Sequence, residues 1–432
     1  MPQTKRLGLV QLFVLTSIAM CTCAIVCEGR CDGSEPLTDL RAFLKQPRAS
    51  RGDLAEQPFA TQPLSREQAQ SAAELLIEDW KESQRSDRKQ ELEQREIKIG
   101  EWSMPYHVEV FGEAPATGRS LTISMHGGGG APKRVNDQQW QNQKRLYRLE
   151  EGFYVAPRAP GDTWDLWHQP QVDLLFSRLI ENFILIEGVN PDRVYLMGYS
   201  AGGDGVYQLA PRMADRFAAV AMMAGHPNET SPLGLRNLPF TLHMGELDKA
   251  YDRNRIAKEW KGLLEELRTN DPAGYTHWVK IHEGKGHWMD RQDAEAIPWM
   301  TKHSRTITPT RIVWKQDDVL TNRFYWLAIP EGTQPADRAL ITADVQSDNA
   351  EQTVRVQTDD VESLLVRLRD DFVDLNKPIT VIWNEQEIYR GPVERNIRTL
   401  SSTLRERSDP RALFSAELKI AKPGKTATPS NE

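Results

Sequence analysis

Two alternating patterns predict an α/β fold, a mostly parallel sheet with helices on both faces, followed by a smaller β-rich, sandwich-like module. Six short apolar runs, Leu121 to Met125, Gly152 to Ala156, Val194 to Met197, Phe217 to Met223, Thr241 to Met244 and His277 to Ile281, read as strands. Helix-length stretches around 134–149, 171–187, 201–214, 252–268 and 291–303 lie between or after them. Strands that alternate with helices in this way pair in parallel and are covered on both faces. Past about residue 305 the helical patterns thin out. The runs Arg311 to Lys315, Arg323 to Ile329, Arg338 to Val345, Thr353 to Val356 and Ile379 to Trp383 then follow one another across turn residues, with one helix near Asn396 to Arg405.

The 432-residue chain has room for both parts. Its 39% hydrophobic and 27% charged residues describe an ordinary globular protein, and a net charge of -7 gives no reason to expect nucleic acid or an anionic membrane surface as partner. Residues 1–31 read as a signal peptide, Lys5 and Arg6 preceding a mainly apolar stretch from Leu7 to Cys27. The expected location is secreted or periplasmic, with an uncleaved N-terminal anchor as the alternative. All four cysteines, Cys21, Cys23, Cys27 and Cys31, fall in this region, so no disulfide within the mature chain is expected. Residues 32–64 mix Pro, Gly, Ser and charge without periodicity and read as a linker. The α/β domain is then expected over 65–304, with a helical extension at its start, and the β-rich accessory domain over 305–425. Ser65 opens that extension with Gln68 in a capping box, and Ala69, Ala72, Ala73, Leu76 and Trp80 give it one apolar face. The charged run Lys81 to Arg95 reads as a solvated face. Ile97 and Ile99, then Val108, Val110 and Phe111, alternate as in a hairpin.

The chemistry lies at the carboxyl ends of these strands, where open α/β sheets bind ligands. "GYSAGGDG" (198–205) follows the run Val194 to Met197 and opens a helix, the context that a nucleophile elbow needs around Ser200. "HGGGG" (126–130) follows another strand, and its glycines let backbone N–H groups approach a reacting carbonyl oxygen, together with the N–H of Ala201. A serine hydroxyl needs a base and the base an orienting acid. "GELD" (245–248) offers Glu246 and Asp248, and Asp248 is chosen because it lies farther past the strand end. "HEGKGH" (282–287) offers His282 and His287, and His287 is chosen because Gly284 and Gly286 shape a loop before it. The same segment does not fit a helical zinc motif, whose histidines stand four apart, so neither a metal nor another cofactor is expected.

With these pieces placed, the chain resembles the α/β-hydrolase family over roughly residues 95–304. "NPDRVYLMGYSAGG" and "MHGGGG" are most similar to its secreted serine esterases, the polyhydroxybutyrate-depolymerase-like and feruloyl-esterase-like branch. The resemblance implies a carboxylic ester hydrolase that forms an acyl-enzyme on Ser200, with His287 as base and Asp248 as acid. The oxyanion hole would use Gly127, Gly128 and Ala201, and the partner would be an ester substrate, free or polymer-linked. No lid segment is evident, which departs from true lipases, and the resemblance is silent about the C-terminal part. Trp164, Trp167 and His168 in "GDTWDLWHQP" and His226 in "AGHP" are candidates to line the substrate pocket. A prolyl-oligopeptidase-like serine peptidase and an inactive binding protein are the competing readings. Four aromatics of the C-terminal part, Trp314, Tyr325, Trp326 and Trp383, would suit a polymer-binding face if exposed, although their place in alternating strands favours a core role.

Overall fold

The apolar runs between residues 96 and 282 all become strands of one sheet in the computed structural model, which describes residues 35–347 and 351–423. The N-terminal apolar segment and the four cysteines lie outside the described residues. Among those described, no helix is long and apolar enough to cross a membrane. The predicted hairpin is β1 (Glu96–Ile99) and β2 (Trp102–Phe111). There follow β3 (Leu121–Met125), β4 (Gly152–Pro157), β5 (Val194–Tyr199), β6 (Ala219–Met223), β7 (Phe240–Gly245) and β8 (His277–His282). Their order across the sheet is β1-β2-β4-β3-β5-β6-β7-β8. β2 runs antiparallel to β1 and β4, and every pairing from β4 to β8 is parallel.

β3 to β7 are buried at every residue, as strands covered on both faces must be. The two-residue strand period divides their side chains between two apolar layers. Val194 and Leu196 face a layer shared with α4 (Pro170–Glu187), α5 (Ala201–Arg212) and α6 (Arg253–Asn270). Tyr195, Met197 and Tyr199 face the opposite layer, with Tyr147, Met289 and Met300, the last from α7 (Ala296–Met300). α3 (Lys133–Gln143) follows the glycine loop after β3.

Residues 32–64 are not a linker over their described part. Pro36–Leu44 forms α1, and three short 3₁₀ turns follow before α2 (Arg66–Gln94). Leu37, Leu40, Phe43, Phe59 and Leu64 are buried in one cluster with Leu76 and Trp80 of α2 and with Ile397, Leu400 and Leu404 of α8 (Ile397–Arg407). These side chains find their partners only in distant segments, so the stretch has no periodicity of its own to read. The capping box on Ser65 is present in both directions. The charged run at the end of α2 differs from a solvated face in one respect. Arg88 is buried and bonds Glu181 of α4 at 3.0 Å, while Glu91 receives Arg178 at 3.1 Å and Asn182 at 2.7 Å. Ion pairing of this kind is what makes a buried arginine tolerable.

Beyond Arg305 two further sheets face each other. One has the order β16-β15-β13-β12-β9, built from β9 (Arg311–Lys315), β12 (Leu340–Ser347), β13 (Gln352–Gln357), β15 (Ile379–Trp383) and β16 (Gln386–Gly391). The other has the order β10-β11-β14-β17, built from β10 (Arg323–Phe324), β11 (Leu327–Ala328), β14 (Ser363–Leu368) and β17 (Ala416–Ala421). Trp314, Trp326 and Trp383 are fully buried and Tyr325 nearly so; these four aromatics are the module's core and offer no polymer-binding face. Trp314 of one sheet stacks on Phe324 of the other, ring centres 5.8 Å apart. The apolar core continues from here into the large sheet without a break.

Candidate active site

Ser200 stands at the turn from β5 into α5 with φ 58° and ψ -121°, a conformation that non-glycine residues adopt only when their surroundings hold them there. The flanking glycines explain how the surroundings come so close. A Cβ on Gly198 would lie 2.1 Å from the Gly202 carbonyl oxygen, and one on Gly202 would lie 2.3 Å from the Met125 carbonyl oxygen. Strand, elbow and helix therefore pack at backbone contact, and the serine side chain projects from the sheet's carboxyl edge.

Two loops meet it there. Asp248 follows β7 and is buried, and its Oδ2 accepts the His287 Nδ1–H at 2.7 Å. His287 follows β8, and its Nε2 accepts the Ser200 hydroxyl at 3.0 Å. With the acid bonded to Nδ1, the neutral imidazole keeps Nε2 free to take a proton from the serine. The sheet around them is mostly parallel with helices on both faces, the fold class that the sequence predicts. The loops after β7 and β8 also separate the two alternatives of each pair. Glu246 accepts the Gly284 N–H at 2.9 Å and so braces the histidine loop. His282 is still in β8, buried, with its Nε2 3.1 Å from His243 Nδ1. Tyr199 was no candidate from the sequence, yet its hydroxyl donates to the His287 carbonyl at 2.5 Å and accepts the Met289 N–H at 3.1 Å, which pins the loop that carries the histidine.

The glycine loop lies directly against the elbow, where a Cβ on Gly127 would be 3.1 Å from Ser200 Cβ. His126 holds this loop from below. It is fully buried, its Nδ1–H donates to the Gly127 carbonyl at 2.6 Å, and its Nε2 accepts the Ala159 N–H at 3.1 Å. Burial pushes its pKa down to about 4, so the ring is neutral and the donor and acceptor assignment holds at neutral pH. In a trans peptide the C=O and N–H point opposite ways, so fixing the Gly127 carbonyl aims the Gly128 N–H. Gly128 and Gly129 have φ of 117° and 106°, a region open to glycine. Asn136 of α3 completes the brace, its Oδ1 accepting the Gly129 N–H at 3.0 Å and its Nδ2 donating to the Gly129 carbonyl at 3.0 Å. The Gly129 N–H is thereby occupied by a side chain of the fold.

A cleft of about 270 Å³ opens beside these residues, lined by Trp164, Ala201, Asp204, His226, Tyr251 and Arg253 along with the glycines. Of the four proposed pocket residues it takes Trp164, which is 62% exposed, and His226. Trp167 and His168 are corrections. Trp167 is fully buried under α5, donates its indole N–H to the His126 carbonyl at 2.9 Å, and packs where a Cβ on Gly205 would come within 2.5 Å. His168 is buried beside the Arg212 guanidinium, and burial together with that charge brings its pKa down to about 4. Their position in a loop after a strand made both candidates for the carboxyl edge, but the loop folds back beneath the elbow and they take the packing role such residues also have. Asp204, Tyr251 and Arg253 carried no sequence signal. Asp204 accepts the His226 N–H at 2.6 Å, and burial raises its pKa to about 6.

One group of potential metal ligands involves a residue discussed above, since ring nitrogens of His243 and His282 and a Glu295 oxygen lie within 4.8 Å of one another. Each has a protein partner. The two rings bond each other, Thr241 bonds His243 Nε2 at 3.0 Å, and Lys280 pairs with Glu295.

No protein-family model matches the chain. Over an alignment of 156 residues the chain is 30% identical to the protein named "Putative esterase NocK" of Nocardia uniformis subsp. tsuyamanensis, covering 32% of this chain and 44% of that protein. The chain thus aligns with less than half the length of that curated relative. Among solved structures, a thermostable esterase is 18% identical with a TM-score of 0.38, over 49% of this chain and 62% of that one. LpqC, a poly(3-hydroxybutyrate) depolymerase of Bordetella parapertussis, is 16% identical with a TM-score of 0.34, over 48% of this chain and 88% of that one.

Proposed function

We propose that this protein is a serine hydrolase that cleaves carboxylic esters through an acyl-enzyme on Ser200. The observation that carries the reading is the strained serine hydrogen-bonded to His287, itself bonded to the buried Asp248. Ser200 Oγ attacks the ester carbonyl carbon as its proton passes to His287 Nε2. Asp248 stabilises the imidazolium that results. Negative charge develops on the carbonyl oxygen, and the N–H groups of Ala201 and of Gly127 and Gly128 are the donors that would receive it, helped by the N-terminal end of α5. Collapse of this intermediate breaks the C–O bond, His287 returns the proton to the leaving alcohol, and water then cleaves the acyl-enzyme by the same steps. No metal or organic cofactor enters this chemistry.

The likeness to a named esterase agrees with the reading, and nothing specific favours the peptidase alternative. Purified protein assayed on p-nitrophenyl esters and on aminoacyl p-nitroanilides tests it. Ester turnover that disappears in Ser200→Ala is the expected result. Turnover of the anilides alone would replace it with the peptidase reading.

A further inference from the structure

The ester cleft holds a cation for which acyl transfer has no use. Arg253, the first residue of α6, lines the cleft together with Gly128 and Ala201. Its Nε is shielded from solvent and has no hydrogen-bond partner among the described residues, and its Nη1 makes only a long 3.4 Å contact to the Ala250 carbonyl. Neighbouring arginines are satisfied by acids, Arg255 by Asp252 and Glu259 and Arg236 by Asp271. Arg253 instead lies over the ring of Tyr251, 4.8 Å from its centre; Asp204 across the same cleft feels its charge but makes no ion pair with it, so no carboxylate fills the fork.

The local chain breaks two preferences to put it there. Cations are unfavourable at a helix N-terminus, and the acid at the N-cap, Asp252, makes no capping bond there and pairs with Arg255 instead. Tyr251 and Asp252 both take left-handed backbone conformations, φ 54° and 56°, without being glycine. The turn is also fastened to the loop that carries Asp248. The Asn254 N–H bonds the Asp248 carbonyl at 3.0 Å, and Asn254 Nδ2 bonds the Glu246 carbonyl at 2.7 Å. Violations of local preference that are held rigidly beside a reactive group mark function more often than accident.

We propose that Arg253 is a specificity-determining residue that receives a carboxylate carried by the ester substrate, an inference that rests on the ester-hydrolase reading. A guanidinium pairs with a carboxylate through two parallel N–H bonds, and partial shielding from water strengthens the pair. Trp164 and Tyr251 are exposed aromatics on the same cleft, suited to the carbon chain between the ester and the acid.

Two matched pairs of substrates test this, one for each side of the ester bond. p-Nitrophenyl hemiglutarate is compared with p-nitrophenyl valerate, and 4-acetoxybutyrate with butyl acetate, for the wild type, Arg253→Gln and Arg253→Lys. The expected result is a kcat/KM preference of ~10-fold or more for the charged member of at least one pair, a value typical of one charge-assisted contact. That preference should collapse in Arg253→Gln and partly survive in Arg253→Lys. Hydrolysis of the neutral esters with no preference for charge, or a preference unchanged in Arg253→Gln, overturns the inference while the ester reading stands. Failure of the wild type on every ester overturns both.

Discussion

Replacing Ser200 by Ala removes the nucleophile without disturbing the elbow, because a methyl group fits wherever the serine side chain fits. Turnover should fall by up to ~10⁶-fold while the circular dichroism spectrum and melting temperature stay close to the wild type, and an active variant would sink the assignment. Asp248→Asn should cost less, on the order of 10⁴-fold, since the acid orients the histidine without touching the substrate. Glu246→Gln keeps an oxygen to accept the Gly284 N–H and should cost far less than Asp248→Asn. The reverse order of these two would move the acid to Glu246. Gly202→Ala is a different kind of change, because its Cβ would meet the Met125 carbonyl oxygen at 2.3 Å, and both are backbone groups of packed elements. Loss of soluble protein, and not merely of activity, is the expected outcome.

At the scale of elements, the parts that could be read were those whose signal is local. β3, β9 and β15 have the boundaries their apolar runs predict, and the box on Ser65 opens α2 as its spacing predicts. Ser65→Ala should therefore lower stability by ~1 kcal/mol, measured by denaturant melting. β14 and β16 escaped because their sequences do not alternate, while the short β17, where Ala416, Leu418 and Ile420 do alternate with Glu417 and Lys419, was missed. In β14 Arg367 is buried and satisfied by Glu406 at 2.8 Å and Glu417 at 3.0 Å, so a charged residue stands where an apolar one would have signalled the strand. The serine, acid and histidine positions were readable because each follows a strand with its own turn residues. Trp167 and Arg253 were not, because what decides their place is the path of a loop. The strands and loops of the large sheet also hold neutral histidines, His126 and His168 with pKa values near 4 and His243 near 3, all depressed chiefly by burial. The unfolded chain binds protons at these sites near the ordinary value of about 6.5, before the folded protein does. Stability is therefore fully present above that value and is lost as pH falls towards 4, by ~2 kcal/mol per histidine at pH 5. Asp204, raised to about 6, works in the opposite direction below that pH and offsets part of the loss from one of the three, ~1 kcal/mol at pH 5. A melting temperature that did not fall between pH 7 and pH 5 would contradict the neutral burial of these rings.

For the whole molecule, the question is whether the β-rich part beyond Arg305 can be removed. Every group proposed for the chemistry precedes residue 288, so catalysis alone does not need it. Packing does. Arg305 is buried between Asp192, at 3.0 Å, and Asp409, at 2.7 Å, so a cut after it leaves a guanidinium designed for two acids with only one. Asp215 accepts the Tyr325 N–H at 3.0 Å, and Thr230 donates to Asp317 at 2.7 Å, so the large sheet's own loops lose partners as well. The apolar consequences are larger. α8 leaves the cluster that holds α1 and α2, and the continuous core is opened where the Pro232–Leu235 turn meets β9. A chain ending near Arg305 should thus be insoluble or unfolded. A milder variant tests the same joint in a protein that still folds. Arg305→Ala leaves Asp409 buried without its partner and should lower stability by ~3–5 kcal/mol, with ester turnover near wild type at a temperature where the variant remains folded. If the truncated protein stayed folded and turned over a small ester, the module would be an attachment to the α/β part, and the shared core would have to be energetically idle. If it stayed folded but lost that turnover, some group beyond Arg305 must reach the active site.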